Sequence, residues 1–243
     1  MKLPPVLVGA IAVVVAAVCM TAGFWQLSRL HAKRALNAAR RAALAAPPVT
    51  IEPDARGLGA LAGRKVVAFG EYDSTVHVLL SARFYKDDLG VELLTPLRLP
   101  GGGALLVDRG WLEAGDGQNA APSAVAEPGP RRVVGLLIPI ERRANMPPWR
   151  RLAGDAPERW SAHELDSASV AAHVPATLAH MLLVALPESH APEGLVRTGL
   201  PELDEQVHVS YAIQWFSFAA ATIVGSLALA LRARRGSRAE TKT

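Results

Sequence analysis

The chain has 243 residues, half of them apolar, with one cysteine and a formal net charge of +4. A single cysteine excludes an intrachain disulfide and a cysteine-based metal cluster. The basic residues form no stripe interleaved with aromatic side chains, so we predict no nucleic-acid partner.

The first predicted element is a membrane helix at residues 1–28. Positions 3–28 contain no charged side chain, and a bilayer core needs about 20 apolar helical residues. A cleaved signal peptide is the alternative. The run ends on bulky and basic residues rather than small ones, which favours an uncleaved anchor.

A helical stalk is predicted next, at residues 29–46. This stretch is rich in alanine, leucine and arginine, which favour helix, and it stops before Pro47 and Pro48. We interpret its arginines as a solvated face near lipid head groups.

Residues 47–205 are predicted to form one β-rich domain outside the membrane. Segments rich in β-branched and apolar residues, bounded by turn residues, indicate strands. They lie at 65–72, 74–82, 90–111 (two strands around a glycine turn), 131–140 and 181–186. Residues 114–130 are predicted to be a long flexible loop.

One helix is predicted inside this domain. Ser161 and Glu164 have the spacing of a capping box, so the helix is expected to begin there and to end near His173, before Pro175. The predicted fold is therefore an α+β membrane protein. Two transmembrane helices flank a mostly antiparallel β extracytoplasmic domain with one or two helices.

The sequence offers no convincing catalytic arrangement. It contains no GxSxG motif, and His163-Glu164 lacks a second histidine at position 167, so a zinc motif is not formed. Asp108-Arg109 is interpreted as the end of a strand that packs Trp111, with a charge pair as the alternative. We predict that the protein is not an enzyme; a membrane-anchored hydrolase is the remaining, weakly supported alternative.

The last predicted elements are a second membrane helix at residues 206–231 and a basic tail at 232–243. Residues 209–231 carry no charge, and arginines follow immediately. The positive-inside rule places this tail in the cytoplasm. Two spans then put both termini in the cytoplasm and the large domain in the periplasm of a cell (inner) membrane.

The two membrane helices carry the same residue pair in opposite order, Trp25-Gln26 and Gln214-Trp215. In antiparallel helices this order brings the pairs to the same depth, so we predict that they pack together or frame one cavity. His208 stands at the outer end of the second helix. It is a candidate ligand for haem iron, or alternatively an ordinary interfacial histidine.

These motifs resemble the Surfeit locus protein 1 family of cytochrome c oxidase assembly factors. The resemblance rests on "GFWQLSRLHAK", "FGEYD", "LLTPLRL…GALLVDRGW" and "HVSYAIQWFSFA" and covers nearly the whole chain. It implies a role in maturing a haem-copper oxidase, aiding delivery of haem a to the cytochrome c oxidase large subunit. A cofactor-free structural scaffold is the alternative. The implied partners are that subunit, haem a synthase and the lipid bilayer.

The resemblance also assigns candidate residues by motif. His208 is the candidate haem ligand, no other metal site is predicted, and the remaining residues fall into two groups. The cofactor-binding group is Tyr211, Gln214, Trp215, Trp25 and Gln26, and the partner-binding or structural group is Arg29, Arg109, Gly110, Trp111 and Phe216.

Overall fold

The computed structural model describes residues 4–52, 54, 57–154, 157–174 and 177–240. It contains two compact units. One unit, here called the helix pair, comprises the chain up to Ala39 together with the chain from Glu202 onward. The other, the β domain, comprises Arg40–Pro201.

Three α-helices occur in the described residues: α1 at Pro5–Ala45, α2 at Ser167–His173 and α3 at Gln206–Glu240. Helix α1 runs without interruption through the apolar segment and the alanine- and arginine-rich segment. It ends just before Pro47, because a proline cannot continue a helix.

Both long helices have the length and composition needed to cross a bilayer. The qualifying segments are Val6–Ala45 and Gln206–Arg232. Only 17% and 11% of their most apolar stretches are buried inside the protein. A core helix of a soluble protein would be mostly buried, so the exposure of these apolar stretches is consistent with membrane anchoring.

Small residues dominate the contact between α1 and α3. The buried positions of α1 up to Leu30 recur at intervals of three and four, which is one face of a helix. On α3 the fully buried positions are Ala212 and Ala219. Small side chains let helix backbones approach closely, which is the usual basis of packing in membranes. The buried α1 positions are Ala16, Cys19, Gly23, Gln26, Leu30 and Asn37.

The β domain is built on one 10-stranded sheet. The order of its strands is β1-β2-β6-β9-β5-β4-β3-β8-β7, with β10 on β5. Strand β2 also pairs with β4, which closes a circuit of neighbouring strands through β6, β9 and β5. The strands are β1 Val49–Thr50, β2 Lys65–Tyr72, β3 Val76–Tyr85, β4 Asp88–Arg98, β5 Ala104–Glu113, β6 Pro130–Pro139, β7 Arg150–Arg151, β8 Glu158–Ala162, β9 Thr177–Ala185 and β10 Leu195–Val196.

The sheet is mixed: among the described residues, seven of its ten strand pairings are antiparallel, as the expectation of a mostly antiparallel sheet has it, and three are parallel. Strand β1 runs parallel to β2, β8 parallel to β3, and β9 parallel to β5. Parallel pairs need long crossover connections. Here the chain between β6 and β9 supplies β7, β8 and α2. Periodicity marks strands but does not reveal partners so far apart in sequence, so the direction of pairing was not predictable.

Helix α2 begins later than the capping-box spacing predicted. Ser161 lies in β8 and pairs with Leu79, so it caps no helix. The N-cap is Asp166, whose carboxylate accepts hydrogen bonds from the backbone N–H groups of Ser169 and Arg143. The predicted end near His173 is confirmed.

Strand β5 lies at the centre of the domain, and nine of its ten residues are buried. Its neighbours β4 and β9 cover both edges, as expected for a nearly continuous apolar run. The following segment, predicted to be a flexible loop, is instead packed. It forms a short 3-10 helix at Pro122–Val125, and Val125 and Glu127 are buried.

Candidate functional site

A hydrogen bond between α1 and α3 joins the two end motifs of the sequence. His208 Nδ1 lies 2.7 Å from Gln26 Oε1. Gln26 is only 9% exposed, whereas His208 is half-buried in the first turn of α3. Gln26 of the first Trp/Gln pair therefore meets His208 rather than Gln214 of the second pair.

This bond sets the chemical state of the imidazole ring. A glutamine Oε1 atom only accepts, so His208 Nδ1 carries the proton and donates. The lone pair of the neutral ring then lies on Nε2, the form in which histidine binds a metal. Metal-binding histidines typically donate their other ring nitrogen to such a fixed acceptor. The donor set therefore fits an axial ligand of haem.

An asparagine on α1 that the sequence did not single out fixes the segment before α3. Asn37, 1% exposed, donates from Nδ2 to the Leu203 carbonyl and to Glu205 Oε1, both at 3.0 Å. Its Oδ1 accepts from the Leu203 N–H at 2.9 Å. Nearby, Lys33 donates to the Asp204 carbonyl. These bonds tie the chain to α1 a few residues before His208.

The tryptophans of the two inverted pairs do not meet each other. Trp25 is 57% exposed. The ring of Trp215 contacts Phe218 on its own helix, with centroids 6.1 Å apart. Phe216 takes the interhelical role instead. It contacts Phe24 edge-on at 5.3 Å and covers Gly23, where an added Cβ would lie 2.7 Å from its ring.

Tyr211 and Gln214 share a face of α3 and line an open groove of about 620 Å³ with Asp204, Val207 and Ser210. Both side chains are exposed. Arg29 is also exposed. The structure thus brings Gln26 into contact with His208, and it places Tyr211 and Gln214 together in a separate groove. Trp25 and Arg29 belong to neither group.

The middle motif contains a buried ionic cluster that the sequence reading missed. Arg109 is 2% exposed and donates from Nε and Nη2 to Glu127 Oε1, at 3.1 and 2.9 Å. Arg197, 7% exposed, donates from Nη2 to both oxygens of the same carboxylate, at 2.8 and 3.0 Å. Arg109 also stacks on the Tyr72 ring, with its guanidinium carbon 4.8 Å from the centroid.

Gly110 allows this cluster to form. Its φ is +120°, and an added Cβ would lie 2.2 Å from the Val196 carbonyl oxygen. Strand β10 can therefore pair closely with β5, and Arg197 is the residue that follows β10 in the chain.

Trp111 is packed as predicted: it is 7% exposed, and its Nε1 donates to the Arg83 carbonyl.

Asp108 lies beside this cluster, and its carboxyl is about half protonated near pH 7. Burial, with a further contribution from the Glu92 carboxylate, raises the pKa of Asp108 to about 7. Its Oδ1 accepts the Gly110 N–H at 2.9 Å. The charge pair of Asp108 with Arg109, which was the alternative to a plain strand end, does not occur among the described residues; Glu127, 18 residues away, is the partner of the arginine.

Comparison with known proteins identifies the family of this chain. The SURF1 family matches residues 13–220, which include most of α1, the whole β domain and the first part of α3. The chain belongs to the SURF1 family. It is 30% identical over 232 residues to uncharacterised SURF1-like proteins of Mycobacterium bovis and Mycobacterium tuberculosis. That match covers 88% of this chain and 80% of the relatives.

Within this SURF1-family chain, three central residues escaped the sequence reading: Asn37, Glu127 and Arg197. Each is a single polar residue whose partner is 18 or more positions away. For Glu127 one signal existed, because a lone carboxylate between prolines in an apolar loop is unusual. Asn37 and Arg197 had no comparable local signal.

Proposed function

We propose that this protein is a membrane-anchored assembly factor for a haem-copper cytochrome c oxidase that aids delivery of haem a to the large subunit. Membership of the SURF1 family supports the assembly role. The proposed partners are the large subunit and haem a synthase within the lipid bilayer. The chain would act by holding and presenting a cofactor rather than as an enzyme.

The proposed topology has both termini in the cytoplasm and the β domain in the periplasm. Two helices of spanning length support an even number of crossings. The arginines from position 232 onward favour a cytoplasmic tail. His208 would then lie near the periplasmic surface of the membrane.

The hydrogen bond between His208 and Gln26 carries the haem proposal. Bound haem would supply an iron centre that a histidine nitrogen could bind. His208 Nε2 would be that ligand, Gln26 would hold the ring in the required tautomer, and exposed apolar side chains of α3 would cover the macrocycle. One protein ligand on a half-buried residue suits a carrier that must release its cargo.

A cofactor-free scaffold is the second candidate function. The same hydrogen bond supports it, because an interhelical hydrogen bond between two polar side chains stabilises a membrane helix pair without any ligand. The helix pair would then hold an oxidase subunit while other proteins insert haem.

The test is to express the protein with haem a, purify it in mild detergent and record its visible spectrum. The variants are His208→Ala and Gln26→Leu, with His163→Ala as a matched control because His163 is an exposed histidine of the β domain. We expect pigment in wild type and His163→Ala, none in His208→Ala, and less in Gln26→Leu.

Equal spectra for wild type and His208→Ala would reject His208 as the ligand. Colourless wild type that co-purifies with the oxidase large subunit would favour the scaffold. In a deletion strain, normal oxidase spectra in membranes would reject both candidates and the assembly role itself.

A further inference from the structure

The β domain contains a small cavity beside the buried arginine cluster. Its volume is about 250 Å³. Strands β2 to β5 contribute Tyr72, His77 and Arg109, and the packed segment after β5 contributes Glu127. Prolines supply an apolar part of the wall, at positions 122, 128 and 157. The cavity lies wholly within the β domain and involves none of the residues assigned to haem.

The buried hydroxyl group of Tyr72 has no hydrogen-bond partner among the described residues. The residue is 8% exposed, and its Oη makes no hydrogen bond within the described residues. Burial raises the pKa of Tyr72 to about 12, so the hydroxyl keeps its proton and can donate. An unpaired buried donor costs free energy, so such groups are uncommon without a functional or solvent partner.

Arg109 adds a second unused donor at the same wall. Its Nε and Nη2 atoms bind Glu127 and the Val125 carbonyl, while Nη1 makes no hydrogen bond within the described residues. The guanidinium lies against the Tyr72 ring, so the two unused donors belong to stacked groups.

The buried charged groups beside the cavity leave one positive charge unmatched, while the Glu71 carboxylate that also lines the cavity is exposed to solvent. Arg109 and Arg197 carry two positive charges, and Glu127 supplies one negative charge. His77 is neutral, because burial, followed by the Arg109 charge, lowers its pKa to about 4. Its Nδ1 is bonded to Thr95 Oγ1 at 2.9 Å. The buried set therefore has a net charge of about +1.

We propose that this cavity binds a small monocarboxylate anion. The two oxygens of a carboxylate would accept from Tyr72 Oη and Arg109 Nη1, and a planar carboxylate suits an arginine fork. The prolines would contact a short hydrocarbon chain. A dianion fits less well, because the Glu71 carboxylate also lines the cavity and repels a second negative charge.

The bound carboxylate could come from two sources: a free small acid, or a carboxylate side chain of a partner protein. Butyrate represents the first, and N-acetylglutamic acid α-amide represents the second. Butyramide, which has the same shape without the charge, is the control for shape alone.

The test is isothermal titration of the full-length protein in detergent at pH 7 with each probe. We expect butyrate to bind with a dissociation constant on the order of 1 mM and butyramide at least tenfold more weakly. Tyr72→Phe removes only the unpaired hydroxyl and is expected to weaken butyrate binding about three- to tenfold. Tyr85→Phe is the matched control, because Tyr85 lies outside the cavity and packs on Trp111.

Thermal unfolding shows whether Tyr72→Phe is still folded, so that a loss of binding can be assigned to the missing hydroxyl group. Because Tyr72 Oη has no partner, Tyr72→Phe is expected to unfold at the same or a higher temperature than wild type without ligand. Butyrate that binds no better than butyramide, or equally well to Tyr72→Phe, would overturn the proposal and indicate a cavity that holds only water. Stronger binding of the glutamic amide than of butyrate would identify a partner protein as the source.

Discussion

Among the described residues of the helix pair, the buried polar side chains are Gln26, which bonds His208 in α3, and Asn37, which bonds the segment just before α3. In the β domain, by contrast, three buried charged side chains form one cluster, in which Glu127 joins Arg109 to Arg197. The two long helices leave most of their apolar stretches exposed. Apolar contact between them is therefore limited, and the polar side chains of Gln26 and Asn37 supply the bonds from α1 to the chain around the start of α3.

The β domain gains its stability from a large apolar core. Strands β2, β4, β5, β6 and β9 contribute fully buried leucines and valines. A buried ion cluster is not needed for that core and carries a desolvation cost. We interpret it as a device that fixes the position of β10 and of the segment after β5. Polar bridges therefore stabilise the helix pair, whereas they set the shape of the β domain.

The largest expected effect comes from Glu127→Ala. It leaves two buried arginine charges without their carboxylate, which should lower the free energy of unfolding of the β domain by about 3–5 kcal/mol. Denaturant unfolding followed by tryptophan fluorescence measures this. Glu158→Ala is the control, since Glu158 forms an exposed pair with Arg151, and it should cost no more than about 1 kcal/mol. Equal losses would contradict a cluster that fixes the domain.

Gly110→Ala tests whether β10 must approach β5 closely. We expect a loss of about 2–3 kcal/mol, from strain at φ +120° and from the contact with the Val196 carbonyl. Gly102→Ala separates these causes, because Gly102 has φ +96° but open space around it. The same unfolding experiment applies to both. If the two variants lose equal stability, the close approach of the strands contributes nothing.

Asn37→Leu tests the bridge in the helix pair. Removing the amide leaves both backbone groups of Leu203 without their bonds to it, at a cost of about 1–2 kcal/mol. Cys19, the single cysteine, is 6% exposed at the helix contact. Its alkylation rate by N-ethylmaleimide in detergent should therefore rise roughly five- to thirtyfold. Asn119→Leu, in the β domain, should leave this rate unchanged.

A pH dependence caused by Asp108 is expected as a slope of stability against pH rather than as a loss at one fixed pH. Its pKa is raised from 3.8 to about 7, so the folded chain binds more protons than the unfolded chain between these values. Stability therefore falls as the pH rises from about 4 to about 7, by at most roughly 1.4 kcal/mol per pH unit.

The variant Asp108→Asn lacks this titration, so the stability of wild type relative to the variant should decline across that range. His77, whose pKa is lowered to about 4, acts in the opposite sense but is present in both proteins. For Asp116→Asn the relative stability should stay flat from pH 5 to 7, because the pKa of Asp116 is lowered to about 2. A flat difference for Asp108→Asn would mean that its carboxyl is not held neutral.

Much of the fold was visible in the sequence. The strand predicted at 65–72 and the pair around the glycine turn are present as β2, β4 and β5, because β-branched runs bounded by turn residues depend on local preferences. The start of α2 was misplaced, because the capping-box spacing at Ser161 was overridden by strand pairing with β3. The residues around Ser161 do not reveal whether the segment will cap a helix or pair with a distant strand.

The candidate site was visible only in part. The residue types at Gln26 and His208 were recognised, but Gln214 was expected to share their site and instead lines a separate groove with Tyr211. Helical spacing gives the face of a residue on its own helix. It does not give the rotation of one helix against another, which here is decided by the packing of Gly23 on Phe216.

By itself, the sequence determined two apolar helices long enough to cross a membrane, a strand-rich block between them, and the motifs that mark the SURF1 family. These properties depend on composition, local periodicity and short motifs. Only the tertiary structure decided that Gln26 meets His208 and that Glu127 joins Arg109 to Arg197. Such contacts connect positions far apart in the chain, and close packing around small residues, rather than any local preference, selects them.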